Sequence, residues 1–306
     1  MGNICEQINN YIVYCQCQKQ LDKKTLKAYQ IDLRQFAEQF PDTNVDAITS
    51  TMLETYINGL YQQFKPKTAK RKIASVKALF HYLEYKELIG RNPFVRVQVQ
   101  FEEPESLPKT VPLDTMEAFL SAIYTHRNEA TTTFQRRNAL RDAAVAELLF
   151  ATGMRISELC ALSIEDVNLK DKTVQICGRG MKKRQIQIGN EDVIHTLQEY
   201  KNDFAEEIQS CNHFFANQSG QQLSDQSVRR MINKYTSLAA IDLHITPHMF
   251  RHTFATSLLD ADVDIRYIQE MLGHSSVNIT EIYAHAAASN QQDILTQKHP
   301  RKNFRL

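Results

Sequence analysis

The sequence lacks any long apolar run. No stretch of its 306 residues approaches the roughly 18 consecutive apolar residues that a membrane-spanning helix needs. The first ten residues also lack the basic start and apolar stretch of a secretory signal peptide. We therefore predict a cytoplasmic protein with no membrane partner. A G-x-x-x-x-G-K-[ST] loop is missing too, so nothing indicates the use of ATP.

Cysteine is scarce and has no metal-binding pattern. Of the six cysteines, only Cys15 and Cys17 form a close pair, and no second pair accompanies them. A structural zinc site needs four ligands, and disulfide frameworks are typical of small secreted domains. We therefore predict free thiols, with no zinc site and no disulfide framework.

Neither positive nor negative residues are in clear overall excess, since the formal net charge is +1. Residues 1–100 contain 14 Lys and Arg against 9 Asp and Glu, a difference of +5. Residues 113–306 contain 21 against 23, a difference of −2. The mildly basic first third suits contact with phosphates, although the solvated surface of ordinary helices gives a similar balance.

Apolar periodicity and linker composition predict two domains. Helical spacing of apolar side chains recurs through the first hundred residues, in segments 4–18, 25–40, 46–64 and 68–88. Residues 101–112 contain three acidic residues and three prolines without periodicity, which predicts an extended linker. We predict a helical domain over residues 1–100 and a second domain over residues 113–306.

The second domain is predicted to be mainly helical with a small antiparallel β-sheet. Helical patterns cover residues 113–123 and 135–152 and resume after Asp192. Two short β-type runs, 173–177 and 184–188, flank a Gly-Arg-Gly turn, which indicates a hairpin.

Five polar residues carry the strongest functional signal. They are Arg155 in ATGMRISEL, His248 and Arg251 in TPHMFRHTFAT, His274 in LGHSS, and Tyr283 nine residues later in TEIYAH. Taken singly, each is more often a structural side chain. In this order and spacing they resemble the tyrosine recombinase or integrase family, with an Xer-like layout. The first third, from TLKAYQIDLRQF to RKIASVKALFHYL, resembles that family's helical core-binding domain.

The resemblance implies a site-specific DNA recombinase that forms a 3′-phosphotyrosyl bond through Tyr283. Arg155 and Arg251 would hold the non-bridging phosphate oxygens, because guanidiniums bind such oxygens in pairs. A phenol has a pKa of about 10 and needs a partner to become a nucleophile. His248 would act as that base or hydrogen-bond partner, and His274 would position the phosphate. The covalent bond conserves the energy of the broken one, so no ATP, metal or other cofactor is expected.

The same resemblance implies double-stranded DNA with a specific recombination site as the substrate, within the nucleoid. The working form would be a homotetramer on DNA, with a paralogous recombinase as an alternative companion. Integration, excision, inversion and dimer resolution remain open. Two other functions also remain: a topoisomerase IB-like nicking and closing enzyme, and a catalytically weak, DNA-binding integrase relic.

One residue departs from the family pattern. The family has a lysine in the hairpin turn that protonates the leaving 5′-oxygen, and Arg179 stands there in GRGMKKR. Arginine is a poor proton donor because its pKa exceeds about 12. Either Arg179 acts by hydrogen bonding, or Lys182 or Lys183 takes the role, or cleavage is impaired.

Basic residues in two runs are candidates for contact with DNA phosphates, although such runs are more often solvated surface. They are Lys65, Lys67, Lys70, Arg71 and Lys72 in the first domain, and Lys182 and Lys183 in the hairpin. Near the motif residues, we interpret Glu158 as structural, holding Arg155 or a histidine. We interpret His252 as structural too, facing away from the site.

Overall fold

The chain folds into two compact units, Met1–Glu105 and Ser106–Leu306. A computed structural model describes residues 3–41, 43–99, 108–178 and 183–273. Of the predicted linker, residues 101–107 lie outside these ranges. No helix within them is long and apolar enough to cross a bilayer.

The described part of the first unit contains four α-helices. They are α1 (Ile4–Cys17), α2 (Lys23–Ala37), α3 (Ser50–Gln63) and α4 (Pro66–Tyr85), and short 3-10 turns lie at Val45–Ala47 and Pro93–Arg96. Asp22 caps α2 by accepting hydrogen bonds from the backbone N–H groups of Lys24 and Thr25. Helix α4 begins two residues before the predicted start, because proline suits the first helical position.

The core of this unit is built from the faces that apolar spacing predicted. Phe36 of α2 and Phe80 of α4 are fully buried and contact each other edge to face, with ring centroids 6.1 Å apart. Tyr11 of α1 is also fully buried and stacks on Tyr29. These contacts join three helices into one hydrophobic cluster.

The second unit is mainly helical, as predicted, with a small sheet between its helices. Its elements are α5 (Leu113–Asn128), α6 (Thr133–Thr152), α7 (Ile156–Ala161), β1 (Val167–Asn168), β2 (Thr173–Cys177), β3 (Lys183–Gln187), α8 (Glu191–Asp203), α9 (Ala205–Cys211), α10 (Asp225–Leu238), α11 (Pro247–Asp260) and α12 (Ile265–Leu272).

The sheet is antiparallel with the strand order β1-β2-β3. The predicted hairpin is confirmed: β2 pairs with β3, and Cys177 lies opposite Lys183 at the end nearest the turn. Val174 and Ile176 of β2 are fully buried, as is Ile186 of β3. The hairpin therefore has one face in the core, while its tip residues 179–182 lie outside the described residues.

Helix α6 forms the centre of the second unit. Its residues from Ala143 to Leu149 are buried on nearly all sides, as expected for a helix surrounded by others. Phe119 of α5 packs edge to face on Phe250 of α11, with ring centroids 5.6 Å apart. This packing fixes α11, and with it two of the motif residues, against the core.

Candidate active site

Arg155 lies where α6 gives way to α7. Helix α6 ends at Gly153, which adopts a left-handed conformation with φ +58°. Two residues later, Arg155 forms the N-cap of α7. Its backbone N–H donates to Glu158 Oε2 at 2.8 Å, and its Nη1 donates to Glu158 Oε1 at 2.9 Å. The side chain remains 37% exposed, so the guanidinium is held on one side and accessible on the other.

Gly153 meets two separate requirements at this turn. Its positive φ disfavours any residue with a Cβ atom. A Cβ built there would also lie only 2.5 Å from Cδ1 of Phe254 on α11. The glycine in the A-T-G-x-R segment therefore allows α6 to turn sharply and α11 to approach closely, which sets the starting position of Arg155.

Arg251 lies on α11 and is buried, with 4% of its surface exposed. Its Nη1 donates to the carbonyl oxygen of Gly153 at 2.9 Å, and its Nη2 donates to that of Leu272 at 2.7 Å. Arginine carries five N–H donors in a fixed plane. The side chain thereby joins the end of α6 to the end of α12 and brings its own charge next to the segment that carries Arg155.

His248 occupies the first turn of α11, three residues before Arg251 and on the same side of the helix. It is exposed, whereas the neighbouring His252 is half-buried. Burial, together with the positive fields of His248 and Arg251, lowers the pKa of His252 to about 4. His252 is therefore neutral at pH 7. It lies four residues after His248 and so on the same side of α11, which contradicts the predicted orientation away from the site. The structural role predicted for it stays a prediction.

Arg184 is a residue of this site that the sequence analysis missed. It lies on β3, with only 10% of its side chain exposed. It donates to both oxygens of Glu158, Nη1 to Oε1 at 3.0 Å and Nη2 to Oε2 at 2.7 Å. Its Nε donates to the carbonyl oxygen of Met271 at 2.8 Å. A signal existed in the sequence: alternation along β3 places Arg184 on the same face as the buried Ile186.

Glu158 connects the two arginines. Burial by itself would raise the pKa of its carboxyl group, but hydrogen bonds from Arg184 and Arg155 outweigh burial and lower that pKa below its usual range. The carboxylate is thus charged at neutral pH. It holds Arg155, as the sequence analysis predicted, and it holds Arg184 in addition.

The structure brings together three of the predicted catalytic residues, Arg155, His248 and Arg251. Four other predicted positions, Arg179, Lys182, His274 and Tyr283, lie outside the described residues. Lys183 is described and exposed, at the first position of β3 next to the hairpin tip. The catalytic roles predicted for all these side chains stay predictions.

The basic run on α4 divides into exposed and buried members. Lys65, Lys67 and Lys70 are exposed around the start of the helix. Arg71 is 47% exposed and donates through Nη1 to Asp32. Lys72 differs from these four.

The side chain of Lys72 is 3% exposed, and its ammonium group bonds to Asp32 and Gln35 in the interior of the first unit. Periodicity explains this burial, because Lys72 adjoins the buried face of α4 that carries Ile73 and Val76. An ammonium group in the interior cannot meet a phosphate at the surface. This corrects the prediction of Lys72 as a DNA contact.

Two known sequence families match the chain. The phage integrase family matches residues 116–290, more than half of the sequence, and the phage integrase N-terminal SAM-like domain matches residues 8–87. The chain belongs to the phage integrase family. The predicted tyrosine-type, site-specific DNA recombinase, which cleaves and rejoins DNA strands, is thereby confirmed.

Relatives agree with this assignment along the whole chain. A tyrosine recombinase from Agathobacter rectalis is 62% identical over 304 residues, which is 99% of each chain. The tyrosine recombinase XerC of Oceanobacillus iheyensis is 31% identical, over 97% of this chain and 96% of that one. The Xer-like resemblance is confirmed with it. Neither the topoisomerase-like alternative nor the relic alternative is favoured by these relatives.

A solved structure shows the same fold. The lambda integrase tetramer bound to a Holliday junction matches with a TM-score of 0.71, over 92% of this chain and 76% of that one, at 18% identity. The predicted tyrosine recombinase fold, mainly helical with a small antiparallel sheet, is confirmed.

Proposed function

We propose that Tyr283 is the nucleophile of this recombinase and that Arg155, Arg251, His248 and His274 form its phosphate site. One observation carries the proposal: Arg251 donates to the carbonyl oxygen of Gly153, which is 98 positions away in sequence and two residues before Arg155. The fold thus brings two arginines of separate motifs to one place. A single guanidinium has many structural uses, whereas two that converge beside an exposed histidine suit an anionic substrate.

In the proposed reaction, the phenolate oxygen of Tyr283 attacks the scissile phosphorus. A P–O bond forms to tyrosine, and the bond to the 5′-oxygen breaks. The phenolic proton passes to a base, for which exposed His248 is the candidate. The leaving 5′-oxygen gains a proton from the hairpin region, where Arg179, Lys182 and Lys183 are the candidates. Attack by a 5′-hydroxyl reverses these steps, so ligation requires no ATP.

Charge explains what the arginines contribute. Negative charge grows on the non-bridging oxygens as the phosphorus becomes five-coordinate. Preformed donors that face this charge lower the barrier most, and removal of one such donor typically costs about 10²–10³ in rate. Arg251 is already fixed by two carbonyl groups, and Arg155 by one carboxylate, so little reorganisation is required.

We further propose that the protein acts on double-stranded DNA at a specific site, as a tetramer within the nucleoid of the cytoplasm. The family assignment and the fold shared with the lambda integrase tetramer on a Holliday junction support this. The helical residues 1–100 would contact DNA through exposed lysines of α4, and residues 113–306 would carry the chemistry. A paralogous partner remains an alternative to the homotetramer.

A covalent-trap assay tests the proposal. The protein is incubated with a nicked, labelled duplex that carries its candidate site, taken from DNA flanking its own gene, in EDTA and without ATP. We expect a protein–DNA adduct on denaturing gels that is absent with Tyr283→Phe. An adduct that persists in Tyr283→Phe would refute the assigned nucleophile. Arg179→Ala, run alongside, reports whether the hairpin arginine assists the leaving group. Wild-type protein that binds the DNA without forming an adduct would favour the catalytically weak integrase relic.

A further inference from the structure

Arg184 connects three parts of the active site. It belongs to β3, next to the hairpin tip, and it bonds through Glu158 to the segment that carries Arg155. Through Nε it also holds the carbonyl oxygen of Met271 near the end of α12. Its side chain is 10% exposed, so it acts through contacts within the protein.

The contacts at Glu158 leave its carboxylate no freedom to turn. A carboxylate offers about four lone-pair positions. Arg184 occupies two of them as a bidentate fork, and Arg155 occupies the other two with its backbone N–H and Nη1. Because the fork fixes the plane of the carboxylate, it also fixes the acceptor that anchors the guanidinium of Arg155.

The charges of the cluster favour an anionic ligand. One carboxylate lies between two guanidiniums, which gives the cluster of Arg155, Glu158 and Arg184 a formal charge of +1. Without Arg184, Glu158 and Arg155 would form a neutral pair. Arg184 therefore keeps part of the positive charge of Arg155 available to a phosphate.

Packing beyond Met271 extends the effect of Arg184 to the start of the LGH motif. Arg251 bonds to the carbonyl oxygen of Leu272, and Arg184 bonds to that of Met271. A Cβ at Gly273 would lie 3.0 Å from Cδ and Nη1 of Arg184, so the glycine packs directly on this side chain. Two arginines thus fix successive residues at the end of α12, three and two positions before His274.

We propose that Arg184 is a positioning residue of strand cleavage, which orients Arg155 through Glu158 and couples the hairpin to the end of α12. The inference rests on the proposed function of Arg155 as a phosphate ligand. It assigns to Arg184 no contact with DNA. Of its two contacts, the one with Glu158 is proposed to act on the reaction, through Arg155, and the one with Met271 to hold the end of α12 in place.

A kinetic double-mutant cycle tests this coupling. Single-turnover adduct formation is measured for the wild type, Arg184→Lys, Arg155→Ala and the double variant, on the nicked substrate at saturating protein. We expect Arg184→Lys to slow cleavage about 10- to 100-fold, less than the roughly 10²–10³ for loss of a donor itself, because Arg155 is still present but no longer held in one orientation. DNA affinity should change less than about threefold. The double variant should be no more than about threefold slower than Arg155→Ala alone. Rate losses that multiply would overturn the proposal.

The matched control is Arg127→Lys. Arg127 also forms a bidentate pair with a glutamate of the same unit, Glu199, at 3.0 and 3.1 Å, but it lies on α5 outside the site. It should leave the cleavage rate unchanged. An equal loss of rate in both lysine variants would mean that general stability, and not positioning, explains the result for Arg184. Glu158→Gln, which keeps the shape of the side chain, is the second variant if Arg184→Lys fails to fold.

A chemical readout separates this inference from the proposed function. Phenylglyoxal modifies accessible guanidiniums, and mass spectrometry of the DNA-free protein follows Arg155 alone. We expect Arg155 to react several-fold faster in Arg184→Lys than in the wild type or in Arg127→Lys. An unchanged rate would overturn the positioning role even if no substrate were cleaved. Conversely, faster modification of Arg155 in Arg184→Lys, together with no adduct from the wild type, would refute the proposed function. The coupling of Arg184 to Arg155 would still stand.

Discussion

Arg251 and Gly153 are joined by a 2.9 Å hydrogen bond from Nη1 to the glycine carbonyl oxygen. The bond connects α11 to the left-handed residue that ends α6. Because Arg155 follows two residues later, the positions of both arginines depend on one turn of the backbone. Substitutions at this turn should therefore act on folding and on catalysis together.

Gly153→Ala is expected to lower the free energy of unfolding by about 2–4 kcal/mol. About 1–2 kcal/mol comes from placing alanine at φ +58°, and the remainder from the 2.5 Å approach to Phe254. Urea denaturation followed by circular dichroism measures the change. Gly189→Ala is the control in the same unit, since a Cβ there meets nothing within 4 Å. Equal stability of the two variants would contradict the packing argument.

Arg251→Lys should reduce both activity and stability. Lysine cannot bond the carbonyl oxygens of Gly153 and Leu272 with one planar fork, and a buried acceptor left unpaired costs about 1–3 kcal/mol. Single-turnover cleavage should slow by about 10²–10³ if Arg251 stabilises the transition state. Arg266→Lys, at an exposed arginine paired with Asp264, should change neither quantity. Retained cleavage in Arg251→Lys would remove Arg251 from the proposed site.

His252 should make the protein less stable as the pH falls from about 6.5 toward about 4. Its pKa is about 4 in the folded protein and about 6.5 in an unfolded chain. Between these values the unfolded chain binds more protons, so acid favours unfolding. Solvent screening of this half-buried side chain keeps the loss of stability below the roughly 3 kcal/mol of the full shift. Above pH 6.5 both states are neutral and the contribution is constant. His252→Gln should flatten the pH dependence of the urea midpoint. His195→Gln, which replaces an exposed imidazole, is the control. Identical curves for His252→Gln and the wild type would contradict the burial argument.

Lys67→Ala and Lys72→Met should affect different properties, DNA binding in the first and stability in the second. Exposed Lys67 is expected to contribute to DNA binding, so its loss should reduce the slope of log K against log salt concentration by about 0.9. Lys72→Met should leave that slope unchanged and lower the free energy of unfolding by about 1–3 kcal/mol. This is less than the roughly 3–5 kcal/mol for a buried charge left without a partner, because Arg71 and Ser75 still bond to Asp32. Filter binding at several salt concentrations and urea denaturation measure the two effects. A reduced salt slope in Lys72→Met would show that its ammonium group reaches DNA.

The helices and the hairpin followed from local patterns. Apolar residues at helical spacing predicted the four helices of the first unit, and two β-type runs around a glycine-rich turn predicted the pairing of β2 with β3. Differences arose at helix ends, such as the start of α4 at Pro66, where capping rather than periodicity determines the boundary.

The family and its motif residues could likewise be recognised from order and spacing along the chain. Arg155, His248 and Arg251 are of residue types that suit a phosphate site, because guanidiniums bind non-bridging oxygens and an imidazole can accept or donate a proton. What spacing could not show is which neighbouring charges support them. Four of the seven residues in GRGMKKR are basic, and composition does not show that Arg184 points into the protein.

The sequence by itself therefore determined the elements, the family and the candidate chemistry, since these depend on residue type and short-range periodicity. Only the tertiary structure decided that Arg184 bonds to Glu158, that Arg251 bonds to Gly153 and Leu272, and that Lys72 is buried against Asp32. Each of these is a contact between segments about 20 to 100 residues apart. Such contacts depend on the distances and directions that packing fixes, and a linear order of residues contains neither.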